Sequence, residues 1–172
     1  MAVRPVLRIP NAVLSSPTMP VERIDDVASD LARDLLDTMA ASPACVGLAA
    51  NQIGVGLRAF AVDVTGHKKA NSCHGAFVLF NPEVISESDM ELAREGCMSV
   101  PDLTGDVHRA TKLIVAGIGP DGSRRQLEVD QFEARAVLHE IDHLDGFVFV
   151  DKVAGPQAIY ARRVYKALRT PR

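Results

Sequence analysis

Ile24, Val27, Leu31, Leu35 and Met39 fall three or four residues apart. That is the spacing of one helix face, and it predicts an amphipathic helix over residues 21–40. Pro20 precedes this stretch and Ser42-Pro43 ends it. A glycine-bounded loop over 47–56 follows, and then the pattern changes. Residues 57–64 and 77–80 are rich in Val, Phe and Leu and read as strands. Between them, 65–75 is polar and glycine-punctuated, a surface loop whose His67 and His74 read as exposed rather than as ligands. Residues 112–117 and 125–129 flank Pro120-Asp121-Gly122-Ser123, the signature of a β-hairpin with a tight turn. A second helix is predicted over 132–144, stopped near Gly146, then a short strand over 147–150. A final helix is predicted from Pro156 through Leu168. Helices and strands are segregated and joined by hairpins. The expectation is a single α+β domain over residues 1–172, with an antiparallel or mixed sheet around the helix at 132–144.

A chain of 172 residues can bury roughly two thirds of its unfolded surface in one domain. The net charge is −3 and the Lys and Arg residues are scattered, which argues against nucleic acid, DNA included, as a partner. Arg162, Arg163, Arg169 and Arg172 form either a ribosome-facing patch or a solvated helix face, and the second reading is preferred. No apolar run approaches the ~20 residues that span a bilayer, and no secretory signal is visible, so no membrane is expected. Cys45, Cys73 and Cys97 make an odd number without regular spacing. That pattern suits a reducing compartment, the cytoplasm. Cys73 is expected to be a small buried hydrophobe.

The chemistry centres on His139-Glu140-Ile141-Asp142-His143. Histidines four apart on a helix can reach one metal, and the glutamate between them stands near a metal-bound water, the nucleophile. As general base, Glu140 takes a proton from that water and later passes it to the leaving amine. Asp142 faces elsewhere. Residues 144–172 hold no His, Glu or Cys, and Phe149 stands where an elongated zinc-protease motif places its last histidine. The third ligand therefore lies upstream, or is Asp151. Residues 132, 136, 139 and 143 share one helix face, so Phe132 and Ala136 should wall an apolar pocket beside His139, with Val46 adding contact. Gly47, lacking a side chain, lets a peptide backbone approach closely.

Cys97 lies in Glu95-Gly96-Cys97-Met98-Ser99, and Gly47-Leu48-Ala49-Ala50-Asn51-Gln52 lies farther upstream. With the histidine motif, in this order, these stretches resemble the peptide deformylase family. Val6-Leu7-Arg8-Ile9-Pro10 and Leu14 resemble its N-terminal arm, so the likeness runs to about residue 152. The resemblance implies removal of the formyl group from N-formylmethionine on new polypeptides, with the ribosome as a transient partner. It implies a metal held by Cys97, His139 and His143: Fe²⁺, for which Zn²⁺, Ni²⁺ or Co²⁺ can substitute. The Gln52 side chain and the Met98 backbone N–H would steady the oxyanion, the apolar pocket would take the first peptide side chain, and Asp142 would be structural or behind the ligands. Three positions depart from the pattern. Cys45 replaces a loop glycine, Met98 replaces a leucine, and Arg135 stands where apolar residues are usual and is expected to turn outward with its stem along the pocket wall. A zinc endopeptidase is disfavoured by the missing downstream ligand. A non-catalytic peptide-binding or metal-sensing relative is disfavoured by the presence of Glu140 and Gln52.

Overall fold

The computed structural model describes residues 2–162. Helix α1 spans Asp26–Ala41, with the Asp25 side chain accepting the Ala28 N–H at its start. It begins five residues later than expected because Asn81 ties the Val21 backbone N–H and carbonyl to its own amide group, away from a helical ladder. At the other end Ser42 donates to the Thr38 carbonyl just before Pro43. Ala28, Leu31, Leu35 and Met39 are buried, whereas Val27 faces out.

Among the described residues six strands form one sheet: β1 (Gly47–Ala49), β2 (Ala59–Val62), β3 (Phe77–Cys97), β4 (Val100–Ile118), β5 (Arg124–Asp130) and β6 (Ile159–Ala161). Every strand pairing is antiparallel, in the order β1-β2-β3-β4-β5, with β6 on β4. The expected hairpin is β4–β5. The expected strand at 77–80 is only the first stub of β3, which runs on to Cys97 against β4, with register shifts near Glu83, Ser86 and Cys97.

Strand alternation sorts the core into two layers. Phe60, Val62, Phe77 and Leu79 pack with helix α2 (Gln131–Leu144), through its Ala134, Val137, Ile141 and Leu144. Ala59, Ala61, Val78 and Phe80 pack with α1. Each fully buried Val, Leu, Ile or Phe side chain among them contributes about 1.5–3 kcal/mol. Helix α2 is thus clamped against the sheet, and its remaining face is left for the site.

Two C-terminal expectations are corrected. Phe149–Asp151 is a 3-10 turn rather than part of a strand; the Val148 N–H donates to the Asp151 carboxylate, and Phe149 is buried with Cys97, Val100 and Val107. Pro156–Ala158 is a single 3-10 turn, and the chain then extends as β6 against Leu103–Gly105. An open strand edge on β4 supplies main-chain partners that a helix at 159–161 would leave unused. The rest of that expected helix, from 163, lies outside the described residues, as do Arg163, Arg169 and Arg172. No described helix is long and apolar enough to cross a membrane.

Candidate active site

The β3–β4 hairpin turns at Met98-Ser99 and delivers Cys97 to the α2 face that carries His139 and His143, where all three are buried. There the Cys97 Sγ and one ring nitrogen each of His139 and His143 lie within 4.8 Å of one another. Sγ is 3.2 Å from His143 Nε2. Burial above all holds His143 well below its ordinary pKa, so its imidazole is neutral, as a ligand requires. His139, against its own burial, is held well above its ordinary pKa by its Cys97 and Glu95 hydrogen bonds and must give up that proton to ligate. His139 Nδ1 lies 2.7 Å from Glu95 Oε1, which leaves Nε2 free to ligate a metal. A thiolate with two imidazoles suits Fe, Zn, Ni or Co rather than the oxygen-seeking Mg or Ca. The donor set fits such a metal.

Glu140 stands beside these donors, 4% exposed, with Oε2 lacking a hydrogen-bond partner among the described residues. Burial pushes its carboxyl up to about 7, against the pull of the His139 charge. The carboxylate rests on Gly47: a Cβ there would lie 2.5 Å from Glu140 Oε1 and 3.0 Å from both Cδ and Cγ. Gly47 therefore makes room for the glutamate, a reason beyond the close substrate approach expected of it. Gln52 is buried, its Oε1 accepting the Ala49 N–H while Nε2 donates to Ser99 Oγ at 3.0 Å and faces Cys97 Sγ at 3.5 Å.

A groove of about 370 Å³ opens over this cluster. It is lined by Val46 and Gly47 at the start of β1, by Gly96, Cys97 and Met98 of the β3–β4 hairpin, and by Phe132, Ala136, His139 and Glu140 of α2. The residues expected from sequence to bind substrate thus meet in one cavity. His143 lies behind it, joined through the ligand cluster. Asp151 is exposed and is not among the residues whose donor atoms converge.

Over residues 3–158 the chain matches the family model described as polypeptide deformylase. The chain belongs to this family. The peptide deformylase of Bartonella tribocorum is 36% identical over 155 residues, which cover 90% of this chain and 86% of that one. Among solved structures, a peptide deformylase from Legionella pneumophila aligns with a TM-score of 0.82 at 36% identity, covering 91% of this chain and 89% of that one. The Ehrlichia chaffeensis peptide deformylase in complex with actinonin aligns at 0.84 and 29% identity, covering 92% of each. Peptide deformylases are metal-dependent hydrolases that remove N-formyl groups from nascent peptides.

Several residues around this deformylase site differ from their sequence expectations. Arg135 does not turn outward. Its guanidinium is buried, bonding Glu95 Oε2 at 2.7 Å and the carbonyls of Val107 and Glu91. The cause is Glu95, 7% exposed, which also takes two bonds from Arg109. Burial penalises the Glu95 carboxylate, but the hydrogen bonds of His139 and Arg109 outweigh that and hold its pKa far below the ordinary range. Asp142 faces away from the cluster as expected, and pairs with Arg109. It therefore reaches His139 through Arg109 and Glu95. Sequence reasoning missed this network: Glu95 was visible only as a motif letter, and Arg109 carried no local signal.

Cys45 lines the groove, its thiol donating to the Gly47 carbonyl at 3.1 Å. Burial, then the charge of Glu140, pushes it up to about 12, so it stays protonated. Cys73 is exposed rather than buried. Its neighbours Ser72 and His74 both turn inward to bond Glu133 on α2, which leaves Cys73 facing solvent. The loop over 65–75 is thereby pinned to the helix. His67 is not free in solvent but stacks on Phe132, ring centroids 3.9 Å apart, and joins the groove lining.

Proposed function

We propose that this chain deformylates N-formylmethionyl peptides with Cys97, His139 and His143 holding Fe²⁺, which Zn²⁺, Ni²⁺ or Co²⁺ can replace. One observation carries the reading. A thiolate and two imidazoles converge within 4.8 Å beside a buried glutamate whose Oε2 has no partner among the described residues. A metal held there by these three side chains would acidify a bound water from 15.7 towards about 7 and so supply the nucleophile for the formyl carbon. Glu140 takes the proton of the attacking water and hands it to the leaving amine nitrogen. The Gln52 Nε2–H, 3.5 Å from Cys97 Sγ, and the Met98 backbone N–H donate to the oxygen on which charge develops; such a donor is typically worth about 10²–10³ in turnover. The peptide lies extended along the free edge of β1 at Gly47, with its methionine side chain against Val46, Phe132 and Ala136. Asp142 acts at a distance, by holding Arg109 on Glu95.

Transient meeting with the ribosome, where the substrate emerges, belongs to the same reading, and the free cysteines suit the cytoplasm. The test is anaerobic purification, metal analysis and hydrolysis of formyl-Met-Ala-Ser. Wild type should carry one metal per chain and release formate. Glu140→Gln should keep the metal and lose turnover by about 10²–10⁴. Cys97→Ala should lose both, and Asp151→Asn should keep both. Stoichiometric metal in Cys97→Ala would overturn the ligand set.

A further inference from the structure

The C-terminal end of the described chain reaches back into the groove. Strand β6 pairs Ile159, Tyr160 and Ala161 with Gly105, Thr104 and Leu103 of β4, and the next backbone N–H, that of Arg162, donates to the Asp102 carbonyl at 2.9 Å. Tyr160 secures the strand from its side chain. Its hydroxyl donates to Asp106 Oδ2 at 3.2 Å, and its ring lies 3.6 Å beneath the Arg94 guanidinium. The Arg162 side chain then crosses β4 to reach β3. A Cβ built on Gly96 would overlap Arg162 Nη2, so the glycine before Cys97 is what admits the guanidinium to the groove.

The charges around it are unequal. Arg94 also lines the groove, but Asp106 neutralises it. Glu95 is occupied by Arg109, Arg135 and His139. Glu140 rests against Gly47 of β1. No carboxylate lies within ion-pair distance of Arg162 among the described residues, so the groove presents one cation at Gly96 held in place by main-chain pairing. An extended peptide advances about 3.3 Å per residue. With its first side chain against Phe132 and Ala136, its next two residues stay within about 7 Å of that pocket, in the groove that Arg162 also lines.

We propose that Arg162 is a specificity residue that favours substrates with an acidic side chain at the second or third position and disfavours lysine there. This rests on the deformylase reading and adds to it a charge preference set by this chain's own β6.

The experiment uses the metal-loaded full chain and amidated formyl-Met-Ala-Ser peptides with Asp, Asn or Lys replacing Ala or Ser. Two readouts are taken: kcat/KM, and the Kd of the matching unformylated product peptides. A single partly solvated charge pair is worth up to about 1 kcal/mol, roughly fivefold. We expect at least one position to favour Asp over Asn by about fivefold and Asn over Lys by a similar factor. The preference should lie in KM and Kd rather than in kcat, and should shrink at 1 M salt, where screening extends only ~3 Å. Arg162→Ala should erase it and Arg162→Lys should keep part of it. Arg124→Ala, removing the same charge from β5 outside the groove, should leave it intact. Equal Kd for Asp, Asn and Lys peptides in wild type overturns the proposal, as does a preference that survives in Arg162→Ala. Failure to release formate from any peptide would instead strike the deformylase reading, and the product Kd values would still decide the role of Arg162.

Discussion

Gly47→Ala tests the geometry around Glu140 with one methyl group. The new Cβ would lie 2.5 Å from Glu140 Oε1 and 3.0 Å from Cγ and Cδ. Ordinary contact between such atoms needs roughly 3.5 Å, so about 1 Å of displacement is required. The terminal oxygen cannot absorb it alone, because Cγ is crowded as well. The side chain is 4% exposed and is rooted on α2 between the two histidines. The whole carboxylate must therefore swing away from the groove, or β1 must retreat. A misplacement of 1 Å at a reacting group costs about 10²-fold, which is roughly 2.7 kcal/mol of activation free energy.

Overpacking of this kind destabilises by about 1–3 kcal/mol, so the variant should fold at a lower Tm and keep its metal, since no ligand is displaced. The assay is kcat/KM on formyl-Met-Ala-Ser beside metal content and thermal melting. Gly56→Ala is the control, because a Cβ there meets nothing within 4 Å. A second check is non-additivity: in a Glu140→Gln background, Gly47→Ala should cost little further turnover. A folded, metal-loaded Gly47→Ala enzyme with turnover within threefold of wild type would refute the argument.

Three further outcomes are expected. Arg109→Ala removes the cation shared by Glu95 and Asp142 and leaves buried carboxylate charge short of a partner, so urea unfolding should show a loss of about 3–5 kcal/mol; a loss below 1 kcal/mol would contradict the network. Ala136→Leu fills the pocket, and the kcat/KM ratio of formyl-Met to formyl-Ala peptides should fall about tenfold, the range for one or two methylenes in an apolar pocket; an unchanged ratio in a folded variant removes Ala136 from the pocket. Activity of the iron form should decay in air while that of a nickel-substituted form persists, because Cys97 can climb the oxidation ladder when ferrous iron is lost; equal air stability of the two forms counts against iron as the labile centre.

The parts of the fold that were legible in the sequence are those whose physics is local. The helix expected at 132–144 differs from α2 by one residue, since its apolar spacing and the Gly146 stop both lie within the segment. The β4–β5 hairpin was marked by its own turn residues. Strand β3 was seen only at its first four residues because Glu83–Glu91 is exposed and shows no alternation of burial. Its pairing comes from β4, which periodicity within β3 cannot report. The expected helix after Pro156 failed for the same reason: Ile159-Tyr160-Ala161 is decided by the free edge of β4, over fifty residues earlier.

The same division runs through the candidate site. The approach of His139 to His143, with Glu140 beside them, follows from helical spacing, whereas the environment of Glu95 is assembled from afar. Arg109, His139 and Arg135 reach it from 14, 44 and 40 residues away. A helix-face rule sends Arg135 outward because it weighs the cost of burying a cation and has no means of knowing that a buried anion is already there. Once Glu95 is inside, the balance reverses, since an unpaired buried carboxylate costs more than the paired cluster. Glu95 and Asp142 against Arg109 and Arg135 make a neutral set joining β3, β4 and α2. These elements also carry Cys97 and the two histidines, so the ion cluster and the Cys97–His139–His143 cluster fix each other's position. Disturbing Arg109 or Arg135 should therefore move His139 without touching a ligand atom.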